Sequence, residues 1–482
     1  MIYSNGRKMG RIPYSYGDCA FKIYYQDSLI REVGYFNTEW WNNNNFQFHL
    51  DQFKGKVTAS FKVIGPDSIT PLYWTEVLHA CTIDPLTISK SKIIDHLPPG
   101  TSPKKVIDIT LKSDDYAKIE ENNTSKFAIN KASISINDTP IGLKKFKIVG
   151  SSSLKYRRKS YKVSLEKPYT FVQNESTVAI KDFRLISLSM DSYYFHMFIA
   201  YSLLKETGLF DLYFTYAEVK INQETQGIYL LIEDPDYYAL KKKGSDFIVR
   251  RDFRYNIFKP NDSIKGFDFK SNSKNHSPAD DDHIELFKSI YASLYVSHDK
   301  SLFDSLNQKL DMNKYMKWMS MNYFLCNADY TDEVFFFMTT TNNRGHFDII
   351  PWDYDDILRF PPHEGWDHRH SKIGNKLIYS IEDSLDFKIA NDAYLYNQYL
   401  SNMGSMLETL DDSTIEKAFY NSYKELSPLL DKNELISMSR YDETKFNSPN
   451  DFLLNLKASC LFLIERKKVI LNKLLGNDYV KN

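Results

Sequence analysis

The spacing of apolar residues changes once along this chain, near residue 250. Before that point apolar and polar residues alternate over short runs, as in "VTASFKVI" (57–64) and "RKSYKVSLE" (158–166). Such alternation predicts strands, because successive side chains of a strand point to opposite faces. After it, apolar residues recur every three or four positions in 282–296, 311–327 and 451–475, which predicts helices. We therefore expect an α+β fold in which most strands precede most helices.

The chain of 482 residues is long enough for two or three domains, and the pattern predicts three segments. Residues 1–100 form a β-rich N-terminal segment of undefined role, which leads into the linker-like "HLPPGTSPKK" (96–105). Residues 101–250 are predicted to form a β-rich unit. Residues 251–482 are predicted to form a mainly helical unit that one hairpin, at 333–352, interrupts.

The charge and the cysteine content of the chain bear on its binding partners and its cellular location. The formal net charge is -1, so no overall field favours binding to nucleic acid or to an anionic membrane. The sequence shows neither a signal peptide nor an apolar run of membrane-spanning length. We therefore expect a cytoplasmic protein, or one attached to a spore or cell surface without an N-terminal signature. The four cysteines are far apart and are predicted to be free, buried thiols: Cys19, Cys81, Cys326 and Cys460.

Residues 158–233 have an informative order of elements. In the strand 158–166, Lys159 has the same parity as the apolar Tyr161 and Val163, so its amine is predicted to share their face. A helix is predicted over 191–207, with Asp191 at its start as cap preferences favour. A hairpin follows, with strands at 215–221 and 228–233, and it ends in the acidic "EDPD" that begins at Glu233.

A second acidic group lies in the C-terminal half, in "IIPWDYDD" (349–356). Asp353 and Asp355 are two positions apart, so both carboxylates project to one side of an extended segment. Together they can hold a hard divalent cation, which prefers oxygen ligands. Asp329 lies at the end of the predicted helix 311–327, and the predicted hairpin separates it from the other two acids. This order, a carboxylate after a helix and metal-binding carboxylates after a hairpin, suits phosphoryl transfer.

Each of these residues also has a simpler interpretation. Asp355 or Asp356 can cap a following helix, and Asp329 can be a turn residue. The Lys159 amine can extend along apolar surface to solvent, and Glu233 can be an edge charge on a sheet.

Two other chemistries remain open. Paired carboxylates such as Asp329 and Asp353 also serve hydrolysis, as in glycosidases, where the carboxyl separation decides the mechanism. The histidine-rich "HEGWDHRHS" (363–371) can bind a transition metal or form a polar surface loop. The sequence lacks the glycine-rich phosphate loop and the dinucleotide fingerprint.

At these residues the sequence resembles the CotH kinases, a family of atypical, kinase-like, ATP-dependent enzymes named for a bacterial spore-coat protein. The resemblance runs from "VIDITLKSDD" to "LIERKKVILNKLL". Its most specific segment is "IIPWDYDD", because family members typically have Pro-Trp-Asp-x-Asp there. It implies a bilobal, protein-kinase-like fold with a β-rich small lobe (101–250) and a mainly helical large lobe (251–482). It also implies ATP and Mg²⁺ as cofactors and a protein substrate, such as a coat or surface protein.

The resemblance also implies residue roles. Lys159 would hold the nucleotide phosphates, and Asp329 would be the catalytic-loop aspartate. Asp353 would bind the metal with help from Asp355. Asp191 and Glu233 match acidic positions of the family and are expected at the nucleotide site.

The chain departs from the family at three places. Val149 stands where an arginine is usual, and His196 where a more basic or amide residue is frequent. Asp332 and Glu333 occupy the stretch in which an asparagine commonly supplies a second metal contact. These departures favour a second hypothesis, in which the protein keeps the fold and serves as a structural or surface-binding protein without the reaction.

Overall fold

A computed structural model describes most of the chain between residues 104 and 476. The described residues are 19–25, 28–36, 57–63, 104–121, 126–129, 131–173, 176–191, 193–251, 267–271, 278–341, 344–359, 362–430 and 449–476. Within the predicted N-terminal segment, the described part consists of three strands, and the remainder of that segment lies outside the described residues.

The described strands form three sheets, and the α+β expectation is confirmed. A three-stranded sheet has the order β2-β1-β3, a nine-stranded sheet the order β5-β8-β9-β10-β12-β11-β4-β6-β7, and a four-stranded sheet the order β14-β13-β15-β16. The strands are β1 (Cys19–Tyr25), β2 (Ser28–Phe36), β3 (Val57–Val63), β4 (Val106–Leu111), β5 (Ala128–Ile129), β6 (Ala132–Ile136), β7 (Thr139–Ile141), β8 (Leu143–Val149), β9 (Ser160–Gln173), β10 (Ser176–Ile186), β11 (Phe214–Ile221), β12 (Glu224–Glu233), β13 (Phe247–Arg251), β14 (Phe267–Ser271), β15 (Val334–Thr341) and β16 (Arg344–Pro351).

Two tight turns determine register in the nine-stranded sheet. Asn137 and Asp138 join β6 to β7, and Asn222 and Gln223 join β11 to β12. All four residues have positive φ, between 49° and 68°, which gives two-residue turns whose twist matches that of paired strands. Because the second turn needs only two residues, β12 begins at Glu224 and not at the predicted residue 228.

One face of the nine-stranded sheet carries a buried apolar core. Tyr161, Val163 and Leu165 of β9 are at most 1% exposed, and they share this core with Phe183 of β10 and Leu231 of β12. The alternation in 158–166 therefore predicted the buried face correctly.

The opposite face of the same sheet is apolar in one part and charged in another. At β11 and β12 it is apolar, and Tyr216, Leu230 and Ile232 pack into a larger core with the helices. At β8 and β9 it carries charged residues instead, because Lys147 and Lys162 alternate with the buried residues of their strands. We call this charged part of the face, at β8 and β9, the polar half of the sheet.

Ten helices of eight residues or more occur in the described part of the chain, and most of them follow residue 278. The helices are α1 (Ser113–Glu121), α2 (His196–Glu206), α3 (Pro278–Val296), α4 (Asp299–Asn307), α5 (Met312–Leu325), α6 (Trp366–Ile373), α7 (Ser384–Asn391), α8 (Ala393–Thr409), α9 (Asp412–Leu430) and α10 (Pro449–Gly476). None of the helices in the described residues is long and apolar enough to cross a membrane.

The start and end of α5 have clear causes. Asp311 caps the helix, and its carboxylate accepts the N–H of Lys314 at 2.9 Å. Cys326 ends it by adopting a left-handed conformation with φ of 52°. Cys326 and Cys460 are free and buried, as predicted, while the side chains of the other two cysteines lie outside the described residues.

The region 255–283 is polar, and its composition predicts a long loop, yet part of it forms regular structure. It contains β14 and the first turns of α3, since β14 pairs with β13 along its whole length. Sequence polarity alone did not indicate this pairing, because an edge strand needs few apolar side chains. The predicted boundary at residue 250 falls near the end of β13 and stays a prediction.

Candidate active site

The loop after α5 is held against the turn that follows β16. The N–H of Leu358 donates to the carbonyl of Leu325 at 2.8 Å, and the N–H of Ala328 donates to the carbonyl of Asp356 at 3.1 Å. These bonds use backbone groups that a helix end leaves unpaired. They place the loop of Asp329 directly beside residues 353–356, which we call the acidic turn. The hairpin of β15 and β16 separates these two segments in sequence.

Three carboxylates converge on this loop. One oxygen of each of Asp329, Asp332 and Glu333 lies within 4.8 Å of the others; we call these three residues the acid cluster. Asp353 and Asp355 belong to the same electrostatic environment, because the charge of Asp329 raises the pKa of both. Asp329 thus belongs to the acid cluster, and the expected metal role of Asp353 and Asp355 stays a prediction.

Asp353 has an unusual backbone conformation. Its φ is 48°, in the left-handed region that aspartate and asparagine tolerate better than most residues. Its N–H donates to the Tyr201 hydroxyl of α2 at 3.1 Å, so α2 helps to orient the turn.

The carboxyl groups of the site are reluctant to ionise together. Burial and, to a smaller extent, the charge of Asp329 raise the pKa of Asp332 to about 6. Burial also raises the pKa of Glu333, Asp353 and Asp355, and neighbouring carboxylates add to each shift. Buried like charges disfavour ionisation, and an added cation reverses this effect. This is the electrostatic state expected where a divalent cation is to be bound.

Arg250 neutralises part of this charge. Its guanidinium is 2.6 Å from the Glu333 carboxylate, and its Nε donates to the Asp332 carbonyl at 3.3 Å. The same charge acts on Asp353 and opposes the rise of its pKa. The Glu333 side chain, which departs from the family pattern, is therefore paired with a cation of the chain itself.

His363 bridges two of the acidic segments. Its Nδ1 is 3.0 Å from Asp329 and its Nε2 is 2.9 Å from Asp356. Burial lowers the pKa of this imidazole, but the hydrogen bonds to the two carboxylates outweigh it and raise the pKa above its usual range. Both nitrogens thus contact carboxylates, so the transition-metal interpretation of 363–371 is not supported at this histidine.

Three cations lie side by side on the polar half of the nine-stranded sheet. Lys147 of β8 is opposite Lys162 of β9, which is opposite Arg184 of β10; we call these the cationic row. Asp234 bridges two of them, at 2.7 Å from Lys162 and 2.9 Å from Arg184. Burial opposes ionisation of Asp234, but these two cations lower its pKa overall.

Arg184 connects the cationic row to the acids. Its guanidinium lies 4.8 Å from the centre of the Trp352 ring, directly before Asp353 in the chain. Its charge also acts on Asp353 and opposes the rise in pKa of that carboxyl. Arg184 of the cationic row and the carboxyl of Asp353 are therefore close enough for their charges to interact.

The Lys159 side chain is buried and contacts backbone carbonyls. It is 1% exposed, and its ammonium donates to the carbonyls of Leu154 and Tyr156, both at 2.5 Å. Burial lowers its pKa. The phosphate role of Lys159 stays a prediction.

Asp191 and Glu233 are both buried and engaged with the protein. The Asp191 carboxylate accepts the N–H groups of Tyr193 and Met197 at 3.2 and 3.0 Å, around the start of α2. The helix begins at His196 and not at Asp191 as predicted. Glu233 is 2.5 Å from the Lys242 ammonium. Their expected roles at the nucleotide site also stay predictions.

The sequence analysis missed Lys162, Arg184 and Asp234. A usable signal was present, since Lys162 has the opposite parity to the buried Tyr161 and Val163 and must face the other side of the sheet. The choice between the two parities depends on which face is covered, and residues 158–166 alone do not contain that information.

A buried ion-pair network supports the loop of Asp329 from beneath. Arg251 donates through Nε to the Thr331 carbonyl and through a terminal nitrogen to the Tyr315 hydroxyl at 2.7 Å. It also pairs with Asp383 at 3.2 Å and Asp386 at 3.6 Å, and all three charged side chains are fully buried. The backbone two residues after Asp329 is thereby fixed to α7.

Several known proteins are similar to parts of this chain. The family model described as CotH kinase protein matches residues 146–454. Inner spore coat protein H of Bacillus subtilis (strain 168) is 24% identical over 212 residues, which are 43% of this chain and 56% of that protein. The chain thus spans little more than half the length of this curated relative. A structure of the Shewanella oneidensis MR-1 toxin–antitoxin system HipA, HipB and its operator DNA aligns over 66% of each chain, with 13% identity and a TM-score of 0.27.

Proposed function

This chain belongs to the CotH kinase protein family, and from that membership and the charges at the site we propose that it is an ATP- and Mg²⁺-dependent protein kinase. The proposed reaction transfers the γ-phosphate of ATP to a Ser or Thr hydroxyl of a partner protein or of the chain itself. One observation carries the proposal: the Arg184 guanidinium of the cationic row lies 4.8 Å from the ring of Trp352, the residue before Asp353. Phosphoryl transfer needs both kinds of group around one triphosphate.

We assign the triphosphate to the cationic row. Lys162 and Arg184 are partly exposed, at 17% and 15% of their side chains, and both contact Asp234, while Lys162 also contacts Asp236 at 3.1 Å. Their charges and that of Lys270 act on Lys147, so four cations face these two carboxylates and positive charge remains for phosphate oxygens. In this proposal the nine-stranded sheet is the floor of a small lobe and the helices after residue 278 form a large lobe.

We assign the metal to Asp353 and Asp355. Both residues offer carboxylate oxygens, which suit Mg²⁺, and the raised pKa values of both acids fit a place that needs an added cation. Bound Mg²⁺ would neutralise charge on the phosphates and on the leaving group.

Asp329 is proposed to orient the acceptor. Its side chain is 46% exposed, so a hydroxyl of another protein can reach it. In the transfer the hydroxyl oxygen forms a bond to the γ-phosphorus while the bond to the oxygen of ADP breaks. Asp329 accepts the hydroxyl proton as this occurs.

The acceptor class follows from the relative. Because one relative is named as an inner spore coat protein, we propose that the partner is a coat or surface protein and that this chain is associated with the spore. The alternative is a protein that keeps this fold and binds such partners without transferring phosphate.

Calorimetric titration with ATP tests the proposal. We expect ATP to bind with Mg²⁺ present and to bind at least tenfold more weakly when EDTA removes it, because the acids repel the phosphates without a cation between them. Binding that is absent in both conditions would support the non-catalytic alternative. Equal binding in both conditions would contradict the metal assignment.

A comparison of two lysines tests which one holds phosphate. We expect Lys162→Ala to weaken Mg·ATP binding by about 10- to 100-fold, since it removes one charge-assisted contact to phosphate. Lys159→Met is the matched variant, and we expect it to leave ATP affinity unchanged while lowering the unfolding midpoint, because two buried carbonyls lose their donor. The reverse result would restore the phosphate role to Lys159.

A further inference from the structure

The imidazole of His363 joins two acidic segments that are far apart in sequence. One of its nitrogens contacts Asp329 in the loop after α5, and the other contacts Asp356 in the turn after β16. An imidazole is rigid, so two contacts of about 3 Å determine the position of one carboxylate relative to the other.

The backbone around His363 is itself anchored. Its N–H donates to the carbonyl of Ala328 at 3.2 Å. The next residue, Glu364, accepts the Ser380 hydroxyl at 2.8 Å and the N–H of Ile381 at 2.9 Å. The imidazole therefore projects from a segment whose backbone is bonded to the loop after α5 and whose next side chain is bonded to Ser380 and Ile381.

The two carboxylates that His363 contacts differ in solvent exposure and in their other partners. The Asp356 side chain is 9% exposed and is also paired with Arg359. The Asp329 side chain is 46% exposed, and its other neighbours, Asp332 and Glu333, repel it. Without the imidazole, Asp329 would turn toward solvent and away from these like charges.

We propose that His363 is a positioning residue that ties the Asp329 carboxylate to Asp356 and so holds it in place to orient the acceptor hydroxyl. This inference rests on the proposed function, because it assigns Asp329 to the acceptor. His363 acts through Asp329 and is not among the residues to which we assign the triphosphate.

Kinetics separate this role from a general structural one. We expect His363→Ala to lower kcat by about 10- to 100-fold, as small misplacements of a catalytic group do, while KM for ATP stays unchanged. His363→Gln keeps one donor and is expected to recover part of the loss. His368→Ala, at an exposed histidine of α6, is the matched control and should behave as wild type. An unchanged kcat in His363→Ala would overturn the proposal.

A spectroscopic measurement tests the contact without relying on activity. In ¹⁵N-histidine-labelled protein, the signals of the His363 ring are those missing from His363→Gln. We expect Asp329→Asn to shift these signals, and signals that stay in place would overturn the proposal. If the wild type transfers no phosphate, the proposed function fails, and the spectrum still decides whether His363 holds Asp329.

Discussion

Asp353→Asn is expected to abolish phosphate transfer and to leave the metal-free protein at least as stable as the wild type. The loss of activity, about 1,000-fold or more, follows from removal of a metal ligand at a reaction that depends on charge neutralisation. The unchanged or higher stability follows from the raised pKa of Asp353, which burial and the charges of Asp329 and Asp356 cause. Removing a charge that its surroundings disfavour relieves repulsion.

The choice of asparagine matters for this test. Asp353 has φ of 48°, and asparagine adopts this conformation more readily than alanine does, so the substitution changes charge with little strain. Transfer from labelled ATP in the presence of Mg²⁺ gives the activity, and thermal unfolding in EDTA gives the stability. Asp367→Asn, at an exposed aspartate of α6, is the control and should change neither quantity. Equal incorporation of label by Asp353→Asn and wild type would rule out the catalytic proposal.

Arg251→Met is expected to lower the free energy of unfolding by about 3–5 kcal/mol, because it leaves Asp383 and Asp386 buried without their cation. The substitution keeps most of the side-chain volume, so the change measures mainly lost charge and hydrogen bonds. Since Arg251 also binds the Thr331 carbonyl, we expect the loop of Asp329 to lose its fixed position as well.

The loss in free energy of unfolding caused by Arg251→Met should increase as pH rises. Burial raises the pKa of Asp386 to about 7, above its value in the unfolded chain, and loss of Arg251 raises it further. A group with a raised pKa in the folded state binds protons on folding, so stability falls as pH increases toward that pKa. Urea unfolding at pH 5.5 and pH 8 measures this dependence.

Lys300→Met is the matched control for Arg251→Met. Lys300 pairs with Asp304 at 2.8 Å on the exposed surface of α4, where an ion pair contributes little because water screens it. We expect no measurable change in this variant at either pH. A loss smaller than about 1 kcal/mol in Arg251→Met would contradict the assignment of the network as a support of the loop.

Parts of the fold were predictable because their causes are local. The buried face of β9 follows from alternation over a few residues, and the end of α5 followed from the loss of the apolar repeat near Cys326. The contact between the loop of Asp329 and the backbone of Asp356 was also predictable, since a hairpin returns the chain to the helix end from which it departed.

The remaining features depended on long-range contacts. Lys159 and Lys162 are three residues apart, and only the position of the larger core decides which face of the sheet stays open to charge. Asp191 was expected at the first residue of a helix, and its carboxylate accepts backbone N–H groups around the start of α2, which begins five residues later at His196. The pairing of Glu333 with Arg250 required β13 to lie beside β15.

The sequence by itself determined the strands and helices and the acids at the end of the hairpin, because backbone periodicity and turn chemistry act over fewer than about twenty residues. The tertiary structure decided which cations face those acids and that His363 contacts two of them. These contacts join residues from separate elements, and their distances depend on how sheets and helices pack and not on local pattern.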